Sequence, residues 1–167
     1  MTIIVRDGRQ SDVEAAVAVW QQANTARRGG TAAPETHEAR VRGHLASSDS
    51  FLCVAQDGAD LVGMALGMQG LDEDDAGPPL PGLCHISMVF VHPERWGHGI
   101  GKILLQHLLK EARARRYTRC QLWTHADNER AQKLYEGLGF RRSGRELDDD
   151  LGDRIVHFQL RSLNPAP

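Results

Sequence analysis

Nowhere in the 167 residues does an apolar run approach the roughly 20 that a membrane span needs, which excludes a helical membrane protein. Charge of one sign is also lacking. The formal net charge of -2 gives no drive toward non-specific binding of nucleic acid or lipid. The start, MTIIVRDGRQSD, has neither the basic nor the apolar region of a secretory leader. Cysteine is scarce and odd in number: Cys53, Cys84 and Cys120 each sit in an apolar stretch that reads as a strand. That pattern indicates reduced, buried thiols of a cytoplasmic protein and no disulfide framework. Cysteine pairs of metal-site type, internal repeats and linker-like composition shifts are all missing. What is present, 41% hydrophobic and 25% charged residues, suits one soluble globular domain over 1–167.

Periodicity and turn chemistry divide the chain. TIIVRDG reads as a strand. SDVEAAVAVWQQAN reads as a helix opened by a capping box between Ser11 and Glu14. PETHEARVRGHLA predicts a second helix, with Pro34 in its first turn. SFLCVAQDGADLVGMALGMQ is two apolar runs joined at Asp57-Gly58, a hairpin signal. LDEDDAGPPLPG, acidic and proline-rich, reads as a loop. LCHISMVFVHP is a strand of about nine residues that Pro93 stops. GIGKILLQHLLKEARARR carries apolar positions at Ile100, Leu104, Leu105, Leu108, Leu109 and Ala112, the spacing of an amphipathic helix. RCQLWTHA is a strand. DNERAQKLYEGLGF is a helix capped by Asp127 or Asn128 and stopped by Gly139. FRRSGREL and RIVHFQL close the series as strands. The order β-α-α-β-β-β-α-β-α-β-β specifies a mixed α/β sheet.

RWGHGIGKILL sets three glycines just where a leucine-rich helix starts. Each glycine weakens a helix by about 1 kcal/mol relative to alanine, so the choice needs a reason. A strand, a glycine turn and a helix start together hold phosphate, because unpaired N–H groups and the helix dipole both face the anion. The alternative is a turn whose glycines serve tight packing. Two familiar phosphate loops do not fit: a P-loop ending at Gly101-Lys102 would need glycine at Trp96 and serine or threonine at Ile103, and a dinucleotide fingerprint from Gly97 would need glycine at Lys102.

VHPERWGHGIGKILL resembles the acyl-CoA signature of the GNAT N-acetyltransferases, Arg/Gln-x-x-Gly-x-Gly/Ala after a strand ending Val-x-Pro. Gly99 and Gly101 match its glycines, and Trp96 stands at the Arg/Gln position. NERAQKLYEGLGF is similar to a second segment of that family, matching at Asn128, Ala131, Leu134, Tyr135, Gly139 and Phe140. The order of elements is the family order as well, so the resemblance covers nearly the whole chain. It implies a mixed sheet with a splayed central strand pair, acetyl-CoA as acyl donor, and transfer to a small-molecule or peptide amine. A homodimer is left open.

The resemblance also implies site residues. Backbone groups of Val89, Phe90 and Val91 would bind the pantetheine arm, with the Val89 N–H polarising the thioester carbonyl. The turn from Arg95 through Trp96, Gly97, His98, Gly99, Ile100 and Gly101 to Lys102 would hold the pyrophosphate. Arg95 could supply the charged side chain that Trp96 does not, and His98 and Lys102 are either helpers or incidental. Asn128 and Ala131 would meet the cofactor arm, and the Tyr135 hydroxyl would protonate the departing thiolate. His85 falls where some members carry a glutamate base, and an imidazole can take a proton near neutral pH; a histidine merely facing the core is the competing reading. Strand alternation puts His85, Ser87, Val89 and Val91 on one face and Ile86, Met88 and Phe90 on the other. His92 reads as structural. His125 either lines the site or does not. His37, His44, His107 and His157 read as surface. No metal is expected, since Cys84, His85 and His92 lack ligand spacing. Acidic residues at 72–75 and 148–150 lean toward a cationic acceptor.

Overall fold

The structure is a computed structural model and describes residues 2–72 and 76–163. Its strands are β1 (Ile3–Asp7), β2 (Phe51–Asp57), β3 (Asp60–Leu71), β4 (Pro79–Val91), β5 (Arg119–His125), β6 (Arg141–Asp148) and β7 (Arg154–Leu160). The helices are α1 (Val13–Arg27), α2 (Glu35–Ala46), α3 (Ile100–Ala114) and α4 (Glu129–Gly137). Short 3-10 turns occupy Gln10–Asp12 and Pro93–Arg95. The element order is the one the sequence predicts. The sheet order is β1-β2-β3-β4-β5-β7-β6. By contacts the chain divides into two units, Met1–Met68 with Met88–Leu108, and Gln69–Ser87 with Leu109–Pro167.

In the first unit β1, β2 and β3 pair antiparallel, with Ile3 opposite Asp57 and Asp7 opposite Cys53. The inward stripe of α1, Ala16, Val17, Val19 and Trp20, packs with Val41 of α2 and with Met64, Leu66 and Met88 of the strands. The predicted capping box is not formed. Asp12 instead accepts the Arg9 N–H at 2.7 Å and pairs with the Arg6 guanidinium at 2.8 Å. The Arg6 hydrogen bond holds its carboxyl below the usual range. A 3-10 turn therefore precedes the helix, and Ser11 falls inside that turn.

The second unit holds the parallel rungs of β4 and β5, Leu83↔Arg119, Cys84↔Cys120 and His85↔Gln121. It also holds the antiparallel β5–β7 and β7–β6 ladders. The β4–β5 ladder stops at His85, as the predicted splay requires, and Ile86–Val91 continue outside it. β4 runs 13 residues, longer than expected, because Pro79–Gly82 belong to the strand; only Asp72–Pro78 is loop, and Glu73–Asp75 lie outside the described residues. Alternation along β4 is as predicted, with Ile86 and Met88 buried while His85, Ser87, Val89 and Val91 are half-buried.

Candidate active site

The start of α3 is fixed from below. Ile100, Leu104, Leu105 and Leu108 are at most 2% exposed, and a Cβ on Gly63 of β3 would lie 2.8 Å from Leu104 Cδ1 and 3.3 Å from Ile100 Cγ2. Glycine at 63 lets the helix approach the sheet. Packing does not explain Gly97 and Gly99: a Cβ on either would meet nothing within 4 Å. Both have left-handed backbone, φ +83 and +77, which glycine adopts without strain. None of the turn and cap hydrogen bonds among the described residues is donated by a backbone N–H from Gly97 to Lys102. These N–H groups stand at the positive end of a 15-residue helix, where the helix dipole favours negative charge.

The side chains around this turn hold it in place. Arg95 does not point at the turn's ligand side unpaired: its guanidinium bonds Asp57 Oδ2 at 2.7 Å and ties the turn to the β2–β3 hairpin. The Trp96 indole donates to the Val91 carbonyl at 2.8 Å. His98 Nδ1 lies 3.2 Å from the Arg95 carbonyl. His92 donates its N–H to Val62 and its Nδ1 accepts from Glu94, a structural role as expected.

In the second unit, Asn128 caps α4 by accepting the Ala131 N–H at 3.2 Å. Two turns on, the Tyr135 ring is 7% exposed and packs 6.1 Å from the Phe140 ring and 6.0 Å from that of Phe158. Its hydroxyl makes no hydrogen bond among the described residues, and it is not among their fully buried unpaired atoms. Burial pushes its pKa up to about 12, so the phenol stays protonated at any working pH.

That shift has a consequence for stability. The folded state holds this proton up to about pH 12, while an unfolded tyrosine loses it near 10. Stability is therefore full below pH 10 and falls as pH rises through 12, by roughly 1.4 kcal/mol per unit. Chemical unfolding at pH 9 and pH 11.5 should show this loss in the wild type, and a smaller one in Tyr135→Phe.

The half-buried face of the second unit's strands is polar, carrying His85, Gln121, Trp123 and His125. His125 Nε2 meets Asp149 Oδ2 at 3.2 Å. Burial opposes ionisation of Asp149, but the N–H groups of Asp153 and Leu151, with His125, outweigh it and hold the carboxyl below its usual range. Asp148 pairs with Arg154 at 3.2 Å. Part of the acidic 148–150 segment is thus already neutralised, which weakens its pull on a cationic acceptor.

His157 corrects the surface expectation. It is 4% exposed, with the Trp123 ring 4.9 Å away and Ser143 and Gln121 bonded to its two nitrogens. Gln121, which bonds both His85 and His157, carried no sequence signal; only sheet register assembles the three. His107 pairs with Asp7 at 2.8 Å. The three cysteines are buried and form no disulfide. A hydrogen bond with Cys84, then burial, pushes the Cys120 thiol up, which leaves it unreactive as a nucleophile.

Comparison with known proteins bears on these features. The acetyltransferase (GNAT) family description matches residues 15–140. The peptidyl-lysine N-acetyltransferase YjaB of Escherichia coli is 27% identical over 156 residues, 91% of each chain. The mycothiol acetyltransferase of Kineococcus radiotolerans is 40% identical over 73 residues, and the chain spans only 24% of that longer protein. Among solved structures, yncA of Salmonella typhimurium, determined with acetyl-CoA, superposes with a TM-score of 0.74 at 18% identity, over all of this chain and 97% of its own. The match over residues 15–140 makes this chain a member of the GNAT acetyltransferase family.

Proposed function

We propose that residues 1–167 form one N-acetyltransferase domain that moves the acetyl group of acetyl-CoA to a primary amine, by direct attack within a ternary complex. The observation that carries this reading is the run of N–H groups at Gly97–Lys102 that donate to no acceptor among the described residues, with Gly97 and Gly99 free of any packing contact that would require glycine. Pyrophosphate is the natural occupant of such a cradle. The pantetheine arm would lie along Val89, Phe90 and Val91, with the Val89 N–H aimed at the thioester oxygen. Asn128 and Ala131 would meet the arm from the head of α4.

The acceptor must lose a proton before it can attack, and His85 is the base assigned to that step. Tyr135 serves the departing sulfur. Direct attack is supported by the cysteines, which are buried and so unsuited to carry an acyl group. The acceptor is a peptide or small-molecule amine. The name of YjaB favours a lysine side chain. A cytoplasmic enzyme, without nucleic-acid or membrane partners, fits the charge balance. Among the described residues no helix is long and apolar enough to cross a membrane.

Isothermal titration with acetyl-CoA, followed by thiol release over a panel of lysine peptides and small amines, tests this reading. Binding with amine-dependent release supports the enzyme. Binding without release on every amine would point to an acyl-CoA sensor, and no binding would end both readings.

A further inference from the structure

Among the described residues, one side-chain nitrogen or oxygen is buried without a hydrogen-bond partner: Nη1 of Arg28. Arg28 is the C-cap of α1, in the first unit. Its backbone N–H bonds the Asn24 carbonyl at 3.1 Å, and Gly29 and Gly30 donate to Ala26 and Thr25 at 3.2 and 2.8 Å. The end-of-helix carbonyls that an arginine here would serve thus already accept backbone donors. Acids of α1 and α2 are engaged elsewhere, since Glu14 and Glu38 both pair with Arg42, at 2.7 and 3.6 Å. We infer that Arg28 binds a carboxylate of the acceptor, so that the substrate is an amine that also carries a carboxylate group. This rests on the N-acetyltransferase reading and names the class of its acceptor.

A guanidinium keeps its charge at any working pH, and burying part of it unpaired destabilises the fold. The negative end of the α1 dipole offsets some of that cost, but it supplies no acceptor for the buried N–H. A planar fork of donors matches a carboxylate, whose two oxygens accept side by side. Charge balance favours a carboxylate over a phosphate dianion. Arg27 is half-buried as well, but successive residues of a helix do not face each other, so Arg28 meets its anion alone. A Cβ on Gly29 or Gly30 would meet nothing within 4 Å, which leaves room beside the helix end.

Position within the first unit ties this anion to the acceptor. Ala33, in the segment that follows Arg28, and Phe90 of β4 pack against one buried cluster, which includes Trp20 of α1 and Met88 of β4. Phe90 and its neighbour Val89 are the residues assigned to the pantetheine arm. The segment leaving Arg28 therefore closes on the same core as the strand that would hold the thioester. The cofactor's own phosphates are assigned to the N–H groups of Gly97–Lys102, which leaves Arg28 for the second substrate.

Two pairs of acceptors, each differing only in the carboxylate, test this. Nα-acetyl-lysine with its amide represents a peptide terminus, and aminohexanoate with its amide represents a small amino acid. In thiol release with acetyl-CoA, KM for the acid of at least one pair should be lower than for its amide by about tenfold or more, at similar kcat. Which pair shows the difference tells the two sources apart. Arg28→Met should abolish it, and Arg28→Lys, which keeps the charge without the fork, should retain only part. Thermal unfolding of ligand-free Arg28→Met should not fall below that of the wild type, because the change removes an unpaired buried charge; a merely structural arginine would lower it. Binding is also readable without turnover. In protein labelled with 15N at arginine, the Arg28 Nε–H signal, assigned by its loss in Arg28→Met, should move with acetate and not with acetamide. An acid–amide difference that survives in Arg28→Met, no difference in the wild type, or an Arg28 signal indifferent to acetate would each overturn the inference. If no amine is acetylated while acetate still moves that signal, the N-acetyltransferase reading fails and the carboxylate site at Arg28 stands.

Discussion

Tyr135→Phe is expected to lower kcat by about 100-fold or more, with KM for acetyl-CoA changed by no more than a few-fold. The ring is what the fold uses. It is 7% exposed and rests against Phe140 and Phe158, and phenylalanine keeps those contacts. The hydroxyl bonds to no described residue, so its removal leaves no protein partner unpaired. Its loss should therefore be felt only where the thiolate departs. Complete proton transfer is not the main source of the effect. A phenol pushed up to about 12 is a weaker acid than a thiol near 8.5. Full transfer is thus uphill by roughly 5 kcal/mol. Under the function proposed here, the hydroxyl would stabilise the sulfur chiefly as a hydrogen-bond donor while charge gathers, and water would complete the protonation. Two results follow for steady-state kinetics: the wild type shows no tyrosine-dependent fall in kcat between pH 8 and pH 10, and the deficit of Tyr135→Phe stays constant across that range. An unchanged kcat in the variant would remove Tyr135 from the chemistry.

Gly99→Val is expected to weaken CoA binding by two orders of magnitude or more while leaving a folded protein. At φ +77 a β-branched residue is strained by roughly 1–3 kcal/mol. The buried stripe beneath, Ile100, Leu104, Leu105 and Leu108, is untouched by the change. Since a Cβ at 99 meets no protein atom within 4 Å, any loss of affinity beyond that strain comes from the ligand's side of the turn. Titration with CoA, paired with thermal unfolding of the free protein, separates the two terms. Loss of stability with full CoA affinity would show that the turn is only a turn.

The order of elements was legible because most are bounded by strong local signals. Asp57-Gly58 marks the hairpin, Asn128 the cap of α4, and the six-position stripe from Ile100 to Ala112 the amphipathic helix α3. The glycine turn was legible for the same reason. Failures came where distant pairing overrides local preference. Pro79–Gly82 read as loop by composition, yet they belong to β4. Ser11 looked like a cap, but the Arg6–Asp12 pair, anchored in β1, claims that turn. His157 and Gln121 are 36 positions apart and each is unremarkable alone; their bond exists only because β5 and β7 are neighbours. Arg95 looked ready for phosphate, and only the fold reveals that Asp57 holds it.

The undonated N–H groups of Gly97–Lys102 also bear on the lifetime of the molecule. A ligand that fills the cradle binds the folded chain and not the unfolded one, so its free concentration enters the folding equilibrium. At a hundred times its dissociation constant it adds about 2.7 kcal/mol, a large fraction of the margin that keeps an ordinary domain folded. Under the function proposed here, a cell rich in acetyl-CoA keeps more of this protein intact against proteolysis than a starved one. Metabolic state then sets the amount of enzyme as well as its rate.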